Sequence, residues 1–167
     1  MNVEFINPFI SSALNVFSTM LGTKLERGPL SLKSDQTPVY EVSGLIGLCG
    51  RCQGMVVVNV GTETAIGIAA AMLGYRPASV DGEVMDAVGE VTNMVAGAAK
   101  VQLAKYEMSI GLPTVIFGSS PAIKFPAATT PIVIPFTSDL GAVSIEVAFV
   151  ETLQRQPAAG ALSAAAR

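Results

Sequence analysis

The sequence predicts an α+β domain in which helices, one of them long, pack against a largely antiparallel sheet. Three observations carry that expectation. Runs rich in Val and Ile are separated by turns too short for parallel crossovers. The elements fall in the order helix, strand pair, helix pair, strands, and do not alternate one to one as in a doubly wound parallel sheet. The 167 residues suit one domain and leave no room for two. Residues 1–151 carry the pattern. Residues 152–167 are Ala-rich and read as a mobile C-terminal tail without chemistry.

Taken in order, Asn7 to Leu21 sets Phe9, Ile10, Leu14, Val16, Phe17, Met20 and Leu21 at helical spacing, and Gly22 suits a C-terminal cap. After a polar interval holding Pro29, Asp35 and Pro38, Val39 to Leu48 is expected as a strand broken by glycines. The turn CGRCQG, residues 49–54, should pair it with Met55 to Val60. Thr62 is placed to cap a helix from Glu63 to Leu73, closed by Gly74. Asp81 or Ser79 caps the long helix, expected from Gly82 to Tyr106; its about 25 residues would make a rod nearly 40 Å long (~1.5 Å per residue). From Pro113 the pattern turns to strands at Thr114–Phe117, Ile123–Phe125, Ile132–Phe136 and Gly141–Val150, with prolines marking the turns.

Composition excludes several classes of function. Half the residues are apolar and 14% are charged, against about 25% charged in a typical soluble domain; mean hydropathy is +0.53. This argues against disorder for most of the chain. The net charge of −3 leaves no electrostatic footprint for nucleic acid. The apolar stretches Phe5–Thr23 and Cys52–Tyr75 are interrupted by Asn7, Ser11, Ser12 and Asn15, and by Asn59, Thr62, Glu63 and Thr64. Neither suits an unaided membrane span, and Glu4 sits where a signal peptide wants a cation. The expected location is cytoplasmic. There is no histidine, so chemistry that needs an imidazole base or ligand is excluded. Cys49 and Cys52 match a redox CxxC by spacing, but a strand and not a helix follows them. Two thiols near a hairpin turn are the expectation, with zinc held between two such hairpins as the alternative.

The long helix carries an unusual polar face. At 100° per residue, Glu83, Asp86, Glu90, Asn93, Gly97 and Lys100 fall in one sector about 100° wide, opposite an apolar stripe of Val84, Val88, Val91, Val95 and Ala99. Asn93 is a poor helix former in mid-helix, and Gly97 costs about 1 kcal/mol relative to alanine; Gly89 adds a second glycine beside Glu90. A solvated stripe, a neighbouring element packed on the glycines, and a docking face all fit this pattern. Metal binding by Glu83, Asp86 and Glu90 would need ligands from a second element. The first helix repeats the spacing weakly, as Ser11, Asn15, Ser18 and Gly22, which suggests an internal duplication.

The run Asp86 to Gly97, DAVGEVTNMVAG, resembles the helix motif of the CheC/CheX/FliY chemotaxis phosphatases, D/S-x3-E-x2-N followed by a distal proline. The Gly44–Gly47 hairpin, the strand from Gly54, the Ala65–Gly74 helix and the Leu112–Gly118 segment are similar to that family as well. The resemblance thus extends over residues 1 to about 151. One intact motif beside a degenerate first helix, with Asn15 and Ser18 at the acid and amide positions, is similar to the CheX-like members. Pro113 follows Asn93 at a slightly shorter spacing than the family's proline. The resemblance implies a CheC/CheX-like layered fold and hydrolysis of the phospho-aspartate of a CheY-like response regulator. Asn93 would orient the attacking water and Glu90 would pair with the regulator's lysine, with Asp86, Gly97 and Pro113 in supporting or docking places. It implies no cofactor or metal of the chain's own, Mg²⁺ supplied by the regulator, and a homodimer. Two other readings stay open: a non-catalytic module that binds receiver domains or flagellar-switch components, and a redox or zinc protein centred on Cys49 and Cys52.

Overall fold

A computed structural model describes residues 5–119, 122–125 and 129–151; the expected tail at 152–167 lies outside the described residues. The elements are α1 (Asn7–Met20), β1 (Glu26–Arg27), β2 (Ser31–Leu32), β3 (Val42–Gly50), β4 (Cys52–Val60), α2 (Thr62–Leu73), α3 (Gly82–Gln102), β5 (Met108–Ile110), β6 (Thr114–Phe117), β7 (Ile132–Ser138) and β8 (Gly141–Glu151). All pairings are antiparallel. The strands run β1-β7-β8-β4-β3-β5, with β2 also on β7 and β6 also on β3, so each edge is shared by two short strands. The centre is the long β4–β8 ladder, from Cys52 opposite Glu151 to Val60 opposite Val143.

Alternation along the central strands sends one set of side chains toward the helices. Val42, Ile46 and Leu48 of β3, Val56, Val58 and Val60 of β4, and Val143, Ile145, Val147 and Phe149 of β8 join Val84, Val88, Val91, Val95 and Ala99 of α3 in one buried cluster. Phe9, Ala13, Val16 and Phe17 of α1 complete it. α3 comes closest to the sheet at Gly44, where an added Cβ would lie 3.1 Å from Thr92 Cβ and closer still to its hydroxyl. Only glycine in β3 permits that approach. The other face of the sheet, exposed at Cys49 at its far end, carries buried polar residues where the 33–41 segment crosses it. Asn59 is buried there; its two Nδ2 hydrogens are shared among the carbonyls of Tyr40 and Val42 and Ser43 Oγ, while its Oδ1 accepts from Tyr40 N. Lys33 Nζ meets Glu146 Oε1 at 2.7 Å and the Thr37 carbonyl at 2.9 Å. These bonds fasten the 33–41 segment across the second face.

Several boundaries differ from expectation, each for a local reason. α3 spans 21 residues, about 32 Å, and stops short of Tyr106. Leu103 leaves the helical region and turns into the core, followed by a 3-10 turn at Ala104–Tyr106 that sets Tyr106 edge-on to Phe5 at 4.9 Å. β3 starts at Val42 and not Val39, because the Asn59 side chain takes up the backbone groups of Tyr40. Thr62 is the first residue of α2; Gly61 holds the cap position and no side chain caps the end. Asp81 does cap α3, accepting from Val84 N at 3.1 Å, and Gly74 closes α2 at φ 79°. Ile123–Phe125 forms no strand; Ile123 is buried and its amide bonds the Gln36 carbonyl of the covering segment. The β3–β4 turn is tighter than expected, with Cys49 and Cys52 already inside the strands. No helix among the described residues is long and apolar enough to cross a membrane.

Candidate functional site

The packing of α3 decides which of its residues reach solvent. With Val84, Val88, Val91, Val95 and Ala99 against the sheet, the opposite sector faces out: Glu83, Asp86 and Glu90 are exposed, and Asn93, Gly97 and Lys100 are half-buried. A second element borders this face. A Cβ at Gly89 would lie 3.2 Å from Val115 Cγ2 and 3.9 Å from Pro113, whereas one at Gly97 would meet only Ile110 Cδ1, at 3.9 Å. The segment from Ile110 to Pro113 therefore runs beside α3 from Gly97 to Gly89 and passes Asn93. Its Gly111 amide bonds the Gly47 carbonyl at 2.9 Å, tying it to β3.

The two glycines consequently have different explanations. Gly89 makes room for the chain's own β6. At Gly97 a Cβ would make only an ordinary contact with Ile110, so no close internal approach requires glycine there. Pro113 shares an open hollow of about 400 Å³ with Met85, Asp86, Gly89, Glu90 and Val115. The structure thus places Asp86, Glu90 and Pro113 around one depression. Asn93 stands one helical turn beyond Glu90, outside its lining, and Gly97 one turn further. A larger hollow, about 620 Å³, lies between Phe5, Leu32, Ile132 and Phe149 and shares no residue with α3; it holds no neighbouring acid and amide.

Asp86, Glu90 and Asn93 have no side-chain hydrogen bond or ion pair among the described residues. The carboxamide of Asn93 therefore keeps its donor and acceptor capacity for something outside the chain. Glu83 differs: its carboxylate accepts from the Tyr75 hydroxyl, and that bond pushes the Tyr75 phenol above its ordinary pKa. Among the described residues, no group of three acids or thiols is gathered as metal ligands would be.

The other candidates of the sequence separate. Cys49 is exposed on one face of the sheet and Cys52 is buried in the helix-side core. Burial pushes the Cys52 thiol up. The two thiols lie on opposite faces, so a joint redox or zinc centre would require β3 or β4 to turn over, and that reading is corrected. In α1, the single Ser11 hydroxyl hydrogen has the Pro8 carbonyl at 3.1 Å and Gln102 Oε1 at 3.0 Å as acceptors, and Gln102 Nε2 donates to Ser12 Oγ. Ser11 is thus used to bind α1 to the end of α3, while Asn15 and Ser18 are exposed. Sequence reasoning missed Tyr75, Met85 and Val115 at the site, and Leu112 beside it. The signal for Leu112 and Val115 was their place either side of Pro113, but only the fold brings that segment against α3.

Comparison with known proteins bears on the family and the fold. Residues 42–137 match the family model described as chemotaxis phosphatase CheX. The CheY-P phosphatase CheX of Thermotoga maritima is 28% identical over 127 residues, which span 74% of this chain and 82% of the relative. The crystal structure of a CheC-like superfamily protein from Shewanella sp. PV-4 superimposes with a TM-score of 0.81 at 39% identity, covering 90% of this chain and 99% of that one. A CheX–CheY–BeF3–Mg²⁺ complex from Borrelia burgdorferi is similar at a TM-score of 0.75 and 26% identity, covering 90% and 100%.

Proposed function

This chain belongs to the CheX chemotaxis phosphatase family, a protein phosphatase and hydrolase, and on that premise we propose that it hydrolyses the phospho-aspartate of a CheY-like response regulator. One observation carries the residue assignment: an unpartnered carboxamide at Asn93, on a face cleared by Gly97, with an unpartnered carboxylate at Glu90 one helical turn away.

An acyl phosphate is already activated, so its hydrolysis needs positioning and charge stabilisation more than covalent help. The water oxygen bonds to phosphorus as the bond from phosphorus to the aspartyl oxygen breaks, and the aspartate leaves as a stable carboxylate. Both protons of the water leave on inorganic phosphate, as H2PO4−, which then exchanges with solvent. Asn93 holds the water in line, its carbonyl accepting one O–H and its amide free to donate. Glu90 receives the regulator's lysine and so fixes the depth at which Asn93 enters. Asp86 adds negative charge on the lysine side, and Pro113 stiffens the wall opposite.

The regulator brings Mg²⁺ with its own phosphorylation site; the composition of the Borrelia complex supports this division of labour. We place the protein in the cytoplasm as a homodimer, the apolar composition suiting a sheet edge covered by a second copy. The test is to add the protein to a purified phosphorylated regulator and follow phosphate release. Accelerated release is expected, and an unchanged decay across several candidate regulators would refute the reading.

A further inference from the structure

We infer that Leu112 is an apolar anchor for the phosphorylated receiver domain, presented along the border of α3 between Gly89 and Gly97, the stretch that carries Glu90 and Asn93; this rests on the phosphatase reading above. Leu112 is 91% exposed and Val101 is 76% exposed, high values for large aliphatic side chains, and Ile110 is half-buried between them and Gly97. Ile110 lies against Gly97 and Pro113 against Gly89, so Leu112 stands next to the turn of α3 that carries Asn93. Val101 is one turn beyond Gly97 on the same exposed sector. The face around Asn93 therefore carries Glu83, Asp86 and Glu90 toward the start of α3 and Gly97, Lys100 and Val101 toward its end, with Ile110, Leu112 and Pro113 along its border.

Single exposed aliphatic residues need no explanation. Here two of them, Leu112 and Val101, border the face of α3 that carries Asn93, together with the half-buried Ile110, so a receiver domain docked on Asn93 comes up against them. The occupant is the receiver domain and not a second copy of this chain. The exposed carboxylates of Asp86 and Glu90, which have no partner among the described residues, complement a lysine-bearing site. Leu112 is presented on a segment already held by the Gly111 bond to Gly47, so docking does not have to order it. A matching apolar surface beside the phosphorylated carboxylate is the chemistry expected of the partner.

The test compares Leu112→Asp and Leu112→Met with the parent in steady-state dephosphorylation, and in binding of the regulator activated with beryllium fluoride, which reads docking without turnover. Leu112→Asp should raise KM and weaken binding at least tenfold with kcat within twofold. Leu112→Met should stay within threefold of the parent. Unfolding in urea should be unchanged in both, since the side chain packs on nothing. Equal KM and equal binding for Leu112→Asp would overturn the inference. So would a loss of self-association in that variant by sedimentation, which would make Leu112 a contact between copies. If the parent itself fails to accelerate phosphate release, the phosphatase reading fails, and the binding comparison still decides the role of Leu112.

Discussion

Asn93 and Gly97 both weaken the helix that carries them, and nothing inside the chain repays either. Asparagine in a helix interior is less favourable than alanine by several tenths of a kcal/mol, and Gly97 by about 1 kcal/mol. Residues that lower stability without an internal contact are candidates for function. Gly97→Ala should therefore raise the unfolding free energy by about 0.5–1 kcal/mol, because a Cβ there meets only Ile110 at an ordinary 3.9 Å. Gly97→Gln should keep the parent's stability yet slow dephosphorylation at limiting substrate about tenfold or more, by filling the approach to Asn93. Urea titration beside a phosphate-release assay checks both, and a stable, fully active Gly97→Gln would remove this residue from the docking face. Periodicity alone disclosed the polar sector. It could not distinguish Gly89 from Gly97, because that difference depends on Val115 and Pro113, which are distant in sequence.

At the scale of elements, the site depends on how deeply α3 sits on β3. Gly44 sets that depth, and Thr92 faces it while donating its hydroxyl to the Val88 carbonyl at 2.7 Å. A methyl group at residue 44 would push the helix outward along its middle, where Glu90 and Asn93 are carried. Gly44→Ala is expected to cost about 1–3 kcal/mol of stability, as overpacked cores do, and to reduce activity in the fraction that stays folded. An undisturbed urea midpoint would show that α3 is not limited at this contact. Helix and strand types were legible because capping signals and apolar periods are local. β5 and the start of β3 were not. β5 is three residues long and exists only because β3 offers it an edge, and Val39–Glu41 is diverted by the side chain of Asn59 on another strand. The helix end at Gln102 likewise follows from Leu103 and Tyr106 finding core partners.

At the scale of the whole molecule, the two faces of the sheet are stabilised differently. The alternation Val143, Ile145, Val147, Phe149 against Ser144, Glu146, Ala148 suggests a strand with one wet side. The structure buries both sides, because the 33–41 segment closes over Glu146. One carboxylate oxygen of Glu146 has no hydrogen-bond partner among the described residues. Burial pushes its pKa up; the Lys33 ammonium opposes this, and Asp35 adds to it. The folded protein therefore holds this proton more tightly than the unfolded chain. Stability linked to Glu146 is greatest below the ordinary carboxylate pKa and falls as pH rises through the raised one. Glu146→Gln should abolish that component, so that the variant gains on the parent as pH increases from about 4 to 8. Stability curves that stay parallel would show that Lys33 fully offsets the burial. None of this was visible in sequence, where Lys33 and Glu146 are 113 positions apart.

The central claim is that Asn93 acts on the attacking water and Glu90 on the partner. Its most direct measurement compares Asn93→Ala with the parent on one phosphorylated regulator, following phosphate release and, separately, binding of the beryllium fluoride-activated regulator. Release is expected to slow about 100-fold or more, equivalent to roughly 3 kcal/mol of transition-state stabilisation, with binding within threefold and urea stability equal or slightly higher. An Asn93→Ala protein that hydrolyses as fast as the parent, or that loses turnover only because it no longer binds, would contradict it.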